Sequence, residues 1–463
     1  MEHHYDLLVI GSGPSGQRAA VQAAKLGKKA AVIERKQLVG GNAVHTGTIP
    51  SKTLRETVLN LSGWRERGFY GRSYRVKKEI TADDLRQRLE ITLRHEIEVM
   101  QHQLMRNGVD VLPGEARFVD DHTVRLTDYE GACLDYSADK IIIAVGTRPH
   151  RPPNIPFDDR KILDSDDVLN IERLPRSMAV IGGGVIGIEY ATIFSALDIA
   201  VTVVEARNEL LSFADAEIVQ EFQHHLRDRG MIMRLGEQVD QVREAGDGKV
   251  VVHLTSGRRV VTDMAMFCAG RQGNTDSLAL DSAGLESDKR GRIEVNEHFQ
   301  TATPDIYAVG DVIGFPALAS TSMEQGRRAA RHAFTDEAVQ PLENFPFGIY
   351  AVPEISMAGK TEQELKEAGI PFESGIARFR ETARGQILGL QQGMLKMLFS
   401  LEDHRLLGVH VEGEGATELV HIGQAVMTLG GTLNYFIESV FNYPTLAEAY
   451  KVAALDAWNR LSH

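Results

Sequence analysis

Cysteine is almost absent from this chain. Among 463 residues only Cys133 and Cys268 occur, far apart in sequence, so no CxxC-type redox or metal pair exists. Each thiol reads as a small buried hydrophobe. No apolar run is long enough to span a bilayer as a helix. The 16 histidines fall into no HExxH or Cys/His ligand spacing, and no metal site is expected. Positive charge is also in deficit. A formal net charge of -13 argues against nucleic acid or an acidic membrane as a partner of the whole surface. Low-complexity tracts are missing, and nothing suggests a long disordered linker. The first residues lead directly into the apolar run Tyr5-Asp6-Leu7-Leu8-Val9-Ile10. That leaves no room for a signal peptide, and a cytoplasmic location is expected.

What is present is a globular composition, 43% apolar and 25% charged, at a length that suggests about three domains. Two segments echo one another. Leu7-Leu8-Val9-Ile10 runs into Gly11-Ser12-Gly13-Pro14-Ser15-Gly16, then a small-residue helix, then Ala30-Ala31-Val32-Ile33 ending in Glu34. Met178-Ala179-Val180-Ile181 runs into Gly182-Gly183-Gly184-Val185-Ile186-Gly187, a helix through Leu197, and Val201-Thr202-Val203-Val204 ending in Glu205. Strand, glycine turn, helix and strand make a βαβ unit. The spacing from first glycine to acid is the same in both copies.

The chemistry of such a unit follows from its parts. Gly11 and Gly182 permit the tight turn; Gly13 and Gly184 let backbone N–H groups approach a pyrophosphate. Gly16 and Gly187 let helix and strand pack closely. The helix amino terminus offers partial positive charge to the phosphates. Glu34 and Glu205 are placed to accept from a ribose 2′-hydroxyl. A single glycine fingerprint is weak evidence, whereas two copies in context, each with its acid, imply two dinucleotide sites. Glu205 favours NAD and repels a 2′-phosphate, yet Arg207 can pair with that phosphate and admit NADP. Arg207 reads equally well as a solvated surface arginine.

Between the copies, Arg148-Pro149-His150-Arg151-Pro152-Pro153 marks an exit from the first domain. Ile306-Tyr307-Ala308-Val309-Gly310-Asp311 reads as another strand presenting a carboxylate. Beyond about residue 342 the pattern changes to short strands and helices with no glycine fingerprint. The expected division is 1–150, 151–270, 271–341 and 342–463.

The segment Gly40-Gly41-Asn42-Ala43-Val44-His45-Thr46-Gly47-Thr48-Ile49-Pro50-Ser51-Lys52 resembles the redox loop of the flavin disulfide reductases. Gly270-Arg271-Gln272-Gly273-Asn274-Thr275-Asp276, Val352-Pro353-Glu354-Ile355 and Phe441-Asn442-Tyr443-Pro444-Thr445 extend the likeness over essentially the whole length. The resemblance implies a glutathione reductase-like α/β fold with two Rossmann-like dinucleotide-binding domains and an α+β carboxy-terminal dimerisation domain. It implies a discontinuous first domain, to which the Ile306 strand returns, and a homodimer or larger homo-oligomer. It assigns FAD to the first fingerprint, with Arg35, Gly40, Gly41, Thr48, Lys52, Ala116, Thr147, Gly310, Asp311 and Ala319 around it. NAD and NADP fall to the second fingerprint, with Gly270 at its margin. Lys52 is the family's lysine near flavin N5, paired with a glutamate that matches Glu189; Glu189 alone reads also as an ordinary helix-face acid. Lys52 and Glu189 are therefore the expected catalytic pair.

The family's chemistry has been removed from that frame. Its two loop cysteines are here Ala43 and Thr48, and its acid/base histidine is Tyr443. Tyrosine's ordinary pKa of about 10 makes it a poor proton shuttle at neutral pH. Glu448, with no imidazole to orient, is expected to be structural. Loss of the thiols and of their acid/base together suggests a different reaction. The chain resembles the FAD-dependent branch that exchanges hydride between NADPH and NAD, in either direction, by ping-pong transfer through flavin N5. Proximity and orientation then supply most of the catalysis. An NAD(P)H oxidase or quinone/dye reductase is the alternative enzyme. A disulfide reductase working through Cys133 and Cys268 ranks lower, and a non-catalytic nucleotide-binding flavoprotein is the other class.

Overall fold

The computed structural model describes residues 3–335 and 344–461. The chain divides into two compact units, each assembled from separated segments. The expected boundary between residues 341 and 342 lies outside the described residues. Among the described residues no helix is long and apolar enough to cross a membrane.

The first unit comprises Met1–Thr53, Arg86–His150 and Gly270–Leu342. Its sheet places Asp110–Pro113, Ala30–Glu34, His4–Ile10 and Cys133–Ile143 side by side in parallel, with Ile306–Ala308 parallel to the last. The amino-terminal half of Cys133–Ile143 turns to antiparallel pairing with Thr123–Thr127, which pairs in turn with Glu115–Phe118. Both faces of the parallel part are covered. Leu8 and Ile10 join one apolar core while Leu7 and Val9 join the other, so a continuous apolar run satisfies a strand buried on both sides. Ile306–Ala308 joins this sheet from a segment far along the chain, beside Cys133–Ile143. Helices Pro14–Lys25 and Ala319–Phe334 pack closely because Gly326 carries no side chain: a Cβ there would lie 2.0 Å from the Ser15 carbonyl oxygen.

The second unit comprises Leu54–Leu85, Arg151–Ala269 and Glu343–His463. It holds a five-stranded parallel sheet in the order Ile232–Leu235, Ala200–Glu205, Ser177–Ile181, Met264–Phe267 and Ile162–Asp164. A three-stranded antiparallel sheet, Val239–Glu244, Val250–Leu254 and Arg259–Thr262, accompanies it. The carboxy-terminal part is a five-stranded antiparallel sheet with helices Ala416–Thr428 and Glu448–Leu461 packed on its core. Two dinucleotide-type α/β folds and an α+β segment are thus all present, as the resemblance implies.

One charged group ties the halves of this unit together. Lys396, on the antiparallel strand Met394–Ser400, is 1% exposed and lies 2.9 Å from Asp215, 2.9 Å from Glu217 and 2.8 Å from Glu362. Asp215 is also the N-cap of helix Ala216–Asp228, accepting from the Glu217 N–H. A buried lysine without such partners would be strongly penalised. The three carboxylates outweigh desolvation and raise its pKa above the ordinary lysine value.

Candidate functional site: two dinucleotide cradles

In the first unit each fingerprint glycine has a steric reason. Gly11 adopts φ +106°, and a Cβ there would meet the Ala144 carbonyl oxygen at 2.4 Å. A Cβ on Gly16 would lie 1.9 Å from the Gly11 oxygen. Gly13 caps the helix Pro14–Lys25 with no side-chain hydrogen bond, and Pro14 occupies its first turn. The first-turn N–H groups are thereby left for a ligand anion. Gly41, at φ +58°, presses on the same turn: its added Cβ would come within 2.7 Å of the Gly13 Cα.

Glu34 is 5% exposed and is oriented entirely by uncharged donors. It accepts from the Ser12 N–H at 3.1 Å, from the Ser12 hydroxyl, and from the Lys36 N–H at 2.8 Å. The Ser12 hydroxyl also accepts from the Gly40 N–H at 2.9 Å. A single serine therefore connects the acid, the fingerprint and the start of the loop that carries Ala43 and Thr48. Sequence reasoning did not single out Ser12; its place at the second position of the fingerprint is the signal that was available.

Thr147 is a second hub. Its carbonyl accepts from the Asn42 amide and from Arg271 Nη2 at 2.9 Å, while Arg271 Nε donates to its hydroxyl at 2.6 Å. That hydroxyl donates to Asp311 at 3.4 Å. Asp311 has its pKa raised by burial, against the pull of Arg271 and the Thr147 hydrogen bond. Gly310 stands at φ +82° with its N–H on Gln325 Oε1 at 2.8 Å, and a Cβ there would strike Ser15 Oγ at 2.7 Å. Asn42, Arg271 and Gln325 were not expected as site residues. Asn42 and Arg271 are distant in sequence from Thr147, so no local pattern marks them.

Other expected positions are less specialised. Ala116 pairs with Leu126 on the antiparallel strands and its side chain is in the apolar core, which leaves its backbone as the part available to a ligand. Arg35 is exposed, and its carbonyl accepts from the Tyr129 hydroxyl at 3.2 Å. Ala319 opens the helix Ala319–Phe334, whose N-cap Leu318 offers no side-chain bond. Lys52 is half-buried on helix Thr48–Leu61, with Nζ 3.3 Å from Ser51 Oγ. Ala43 lies in the short helix Gly41–His45; Thr46 and Gly47 both donate to the Asn42 carbonyl, at 3.0 and 2.6 Å. The loop thus keeps a closed turn without a thiol in it. The fit to a dinucleotide with a buried polar chain is good: glycines where a Cβ would clash, an uncapped helix start, an oriented acid and a crowded Asp311.

In the second unit the backbone logic repeats. Gly182 is at φ +112° with a would-be Cβ 2.8 Å from the Cys268 oxygen, and Gly187 would meet the Gly182 oxygen at 1.9 Å. Gly184 caps helix Val185–Ala196 without a side-chain bond and faces open space. Gly270, at φ +106°, belongs to the first unit and precedes Arg271–Gly273, which pairs antiparallel with Thr147–Pro149.

The acid is arranged differently here. Glu205 is 6% exposed. It accepts from Gly183 N–H at 2.6 Å, Arg207 N–H at 2.9 Å, Arg207 Nε at 3.0 Å and Arg207 Nη2 at 3.3 Å. Arg207 Nη1 reaches Ser212 Oγ at 3.0 Å. Burial pushes the Glu205 pKa up, but these bonds and the guanidinium charge outweigh it and hold the carboxyl below its ordinary range. Glu205 and Arg207 are one ion pair at the end of a strand, with the arginine half-exposed.

Glu189 is 4% exposed, and its Oε1 accepts from the Tyr350 N–H at 2.9 Å. Glu448 accepts from the Ala383 N–H at 2.9 Å at the start of a short helix. Tyr443 is 73% exposed. Cys133 is exposed and Cys268 partly so, and no disulfide joins them. The expectation that both are buried is corrected: Cys268 is partly exposed, and Cys133 sits where Cys133–Ile143 is paired with Thr127 at the exposed end of the antiparallel extension.

Comparison with known proteins agrees with this architecture. The family model for pyridine nucleotide-disulphide oxidoreductases matches residues 5–326, and the model for the dimerisation domain of the same family matches residues 345–454. A soluble pyridine nucleotide transhydrogenase of Mycobacterium bovis is 54% identical over 458 residues, covering 99% of this chain and 98% of the relative. One from Shigella flexneri is 44% identical over 463 residues, covering 99% of each. Among solved structures, LpdA from Mycobacterium tuberculosis superposes with a TM-score of 0.89 at 25% identity, covering 97% of this chain and 99% of that one. The HOCl-induced flavoprotein disulfide reductase RclA of Escherichia coli, as its Cu(II) complex, gives 0.88 at 25% identity, covering 98% and 99%.

Proposed function

The chain belongs to the pyridine nucleotide-disulphide oxidoreductase family, and from that premise we propose that it is an FAD-dependent transhydrogenase exchanging hydride between NADPH and NAD. The observation that carries this reading is the pairing of two complete dinucleotide cradles with a loop holding Ala43 and Thr48 where a disulfide reductase needs thiols. The names of the similar transhydrogenases, at 54% and 44% identity over nearly full length, support it.

The residues divide the work. Gly11, Gly13 and Gly16 seat the FAD pyrophosphate on an open helix start, Glu34 takes a ribose, and Thr147 with Asp311 supplies the polar chain beyond it. Arg35, Gly40, Gly41, Thr48, Ala116, Gly310 and Ala319 complete that set. Bound FAD supplies a two-electron carrier able to take hydride from one nicotinamide and return it to another. Lys52 contributes a cation and Glu189 a carboxylate to the reacting end, the first to favour negative charge there. Gly182, Gly184 and Gly187 seat the nicotinamide nucleotide, with Gly270 at the margin. Glu205 and Arg207 let one cradle take NAD and NADP in turn, which makes exchange ping-pong. Without thiols at 43 and 48 or an imidazole at 443, no proton relay to a disulfide is maintained. The segment 345–454 makes a homodimer or larger homo-oligomer. The division 1–150, 151–270, 271–341 and 342–463 is the domain scheme we propose, in the cytoplasm.

The test is anaerobic. Purified protein mixed with NADPH and a spectrally distinct NAD analogue should form the reduced analogue catalytically. Formation of none, beside rapid consumption of oxygen or quinone in aerobic controls, would establish an oxidase or quinone reductase instead.

A further inference from the structure

The Glu205 carboxylate cannot follow its arginine. Backbone donors fix both of its oxygens: Gly183 N–H reaches Oε2 at 2.6 Å and Arg207 N–H reaches Oε1 at 2.9 Å. The loop after the strand is anchored as well. Leu211 N–H donates to the Gly183 carbonyl at 3.3 Å, and the Arg207 carbonyl accepts from Gly236 N–H at 2.8 Å. Leu211 is fully buried at φ +46°, a left-handed conformation that side chains rarely adopt. Only the arginine side chain is left to move, and it is half-exposed.

The charges around Glu205 offer no second cation. Three of the five guanidinium N–H groups are spent, two on Glu205 and one on Ser212. Strand Ser177–Ile181 and the turn Gly182-Gly183-Gly184 carry no ionisable side chain. Helix Val185–Ala196 brings Glu189 and Tyr190. Strand Ile232–Leu235 brings Arg234 and leads into Glu237, whose N–H donates to the Glu205 carbonyl at 3.0 Å. Glu237 lies 2.8 Å from Arg258 and draws on Arg234 as well, so those two arginines already answer an acid. Glu209 adds another negative charge beside Arg207.

An acid at this place in a dinucleotide cradle receives the ribose 2′-oxygen. A hydroxyl there gives Glu205 one more hydrogen bond and leaves its charge alone. A phosphate there sets two anions against one guanidinium, and like charges sharing a site force a proton onto one of them. We propose that NADP(H) binding to this cradle takes up a proton from water, shared between the Glu205 carboxylate and the 2′-phosphate, whereas NAD(H) binding takes up none. The inference rests on the reading of Arg207 as the partner of the phosphate. Burial already pushes the Glu205 carboxyl up, and the Arg207 side chain leads the groups that hold it down. Sharing that side chain with a phosphate weakens the main restraint. The sign follows by linkage: a complex holding an extra proton loses affinity as pH rises. A phosphate answered by arginine alone would do the reverse, gaining affinity as it loses its last proton near about pH 6.

The FAD-loaded protein is titrated calorimetrically with oxidised NADP and, separately, with NAD. Phosphate-free buffers of different ionisation enthalpy, at about pH 7.5 where the free 2′-phosphate is a dianion, convert the heats into protons exchanged. NADP should take up about half a proton or more, and NAD almost none. The NADP Kd should rise about tenfold from about pH 6.5 to 8.5, and the NAD Kd less than about twofold. Glu205→Gln keeps the shape and removes the charge; it should bind NADP without uptake and at an unchanged melting temperature. Should that variant unfold, the pH profiles of the parent protein decide alone. Binding of NADP without uptake, or uptake that persists in Glu205→Gln, overturns the proposal. Arg207→Ala separates this failure from that of the reading beneath it. If it weakens NADP selectively while the parent shows no uptake, only the shared proton is lost. If it leaves NADP binding intact, the phosphate role of Arg207 fails and the shared proton with it.

Discussion

The two glycine fingerprints share a backbone and differ in how their acids are held. At the first, Glu34 is fixed by the Ser12 N–H and hydroxyl and the Lys36 N–H, all uncharged. At the second, the hydroxyl position is Gly183, and Glu205 is held by the Gly183 N–H and a guanidinium. Uncharged donors orient a carboxylate and leave its charge intact for one kind of ribose. An arginine beside it can turn either to the acid or to an incoming phosphate. On the function proposed above, the first cradle holds a ligand that stays and the second takes ligands that alternate.

The comparison can be broken at its common part. Gly16→Ala places a methyl group 1.9 Å from the Gly11 oxygen, and overpacking against backbone costs about 1–3 kcal/mol or more. The purified variant should have a lower melting temperature and little bound flavin by absorbance. Gly184→Ala meets nothing within 4 Å, so its melting temperature should be unchanged while nucleotide binding weakens. Equal loss of stability in the two would show that the fingerprint geometry has been misread.

The next effect falls on the difference itself. Arg207→Ala should weaken NADPH about tenfold, roughly 1.4 kcal/mol, and NADH much less, as read by equilibrium titration. Equal weakening would remove Arg207 from phosphate recognition. At the other cradle, Ser12→Ala should cost about 1 kcal/mol of stability and raise the rate of flavin loss on dilution, without changing the preference between NADH and NADPH.

The smallest effect is on acid stability. The Glu205 pKa is lowered in the folded chain, from an ordinary value of about 4.3. Its stabilising contribution is therefore present above that value and is lost as pH falls through the lowered one. Arg207→Ala should move the acid-unfolding midpoint upward, followed by circular dichroism between about pH 5 and 3. A midpoint unchanged by the substitution would mean that the pair does not contribute.

How much of this was legible in the sequence depends on the range of the interaction. Gly11, Gly16, Gly182 and Gly187 were readable because a turn and a helix packed against its own strand require them locally. Glu34 and Glu205 followed from strand length. Asn42 and Arg271 were not, because each meets Thr147 only after the chain has folded back, from 105 and 124 positions away; Ser12 carried a signal in the fingerprint that was passed over. The Glu205–Arg207 pair lay between these cases. Both residues were named, but as separate readers of two ligands, since spacing alone does not reveal that one side chain curls onto the other.

Lys396 bears on how such a protein can be rebuilt. Its ammonium joins Asp215, at the head of the helix that follows the Glu205 strand, to a strand of the carboxy-terminal sheet. A nucleotide-binding segment transplanted from a relative would arrive without that lysine's setting, and a transplanted carboxy-terminal sheet would leave Asp215 buried and unanswered. The two segments are therefore poor interchangeable cassettes. A chimera that exchanges one should recover its folding only when position 396 and its three carboxylates travel together.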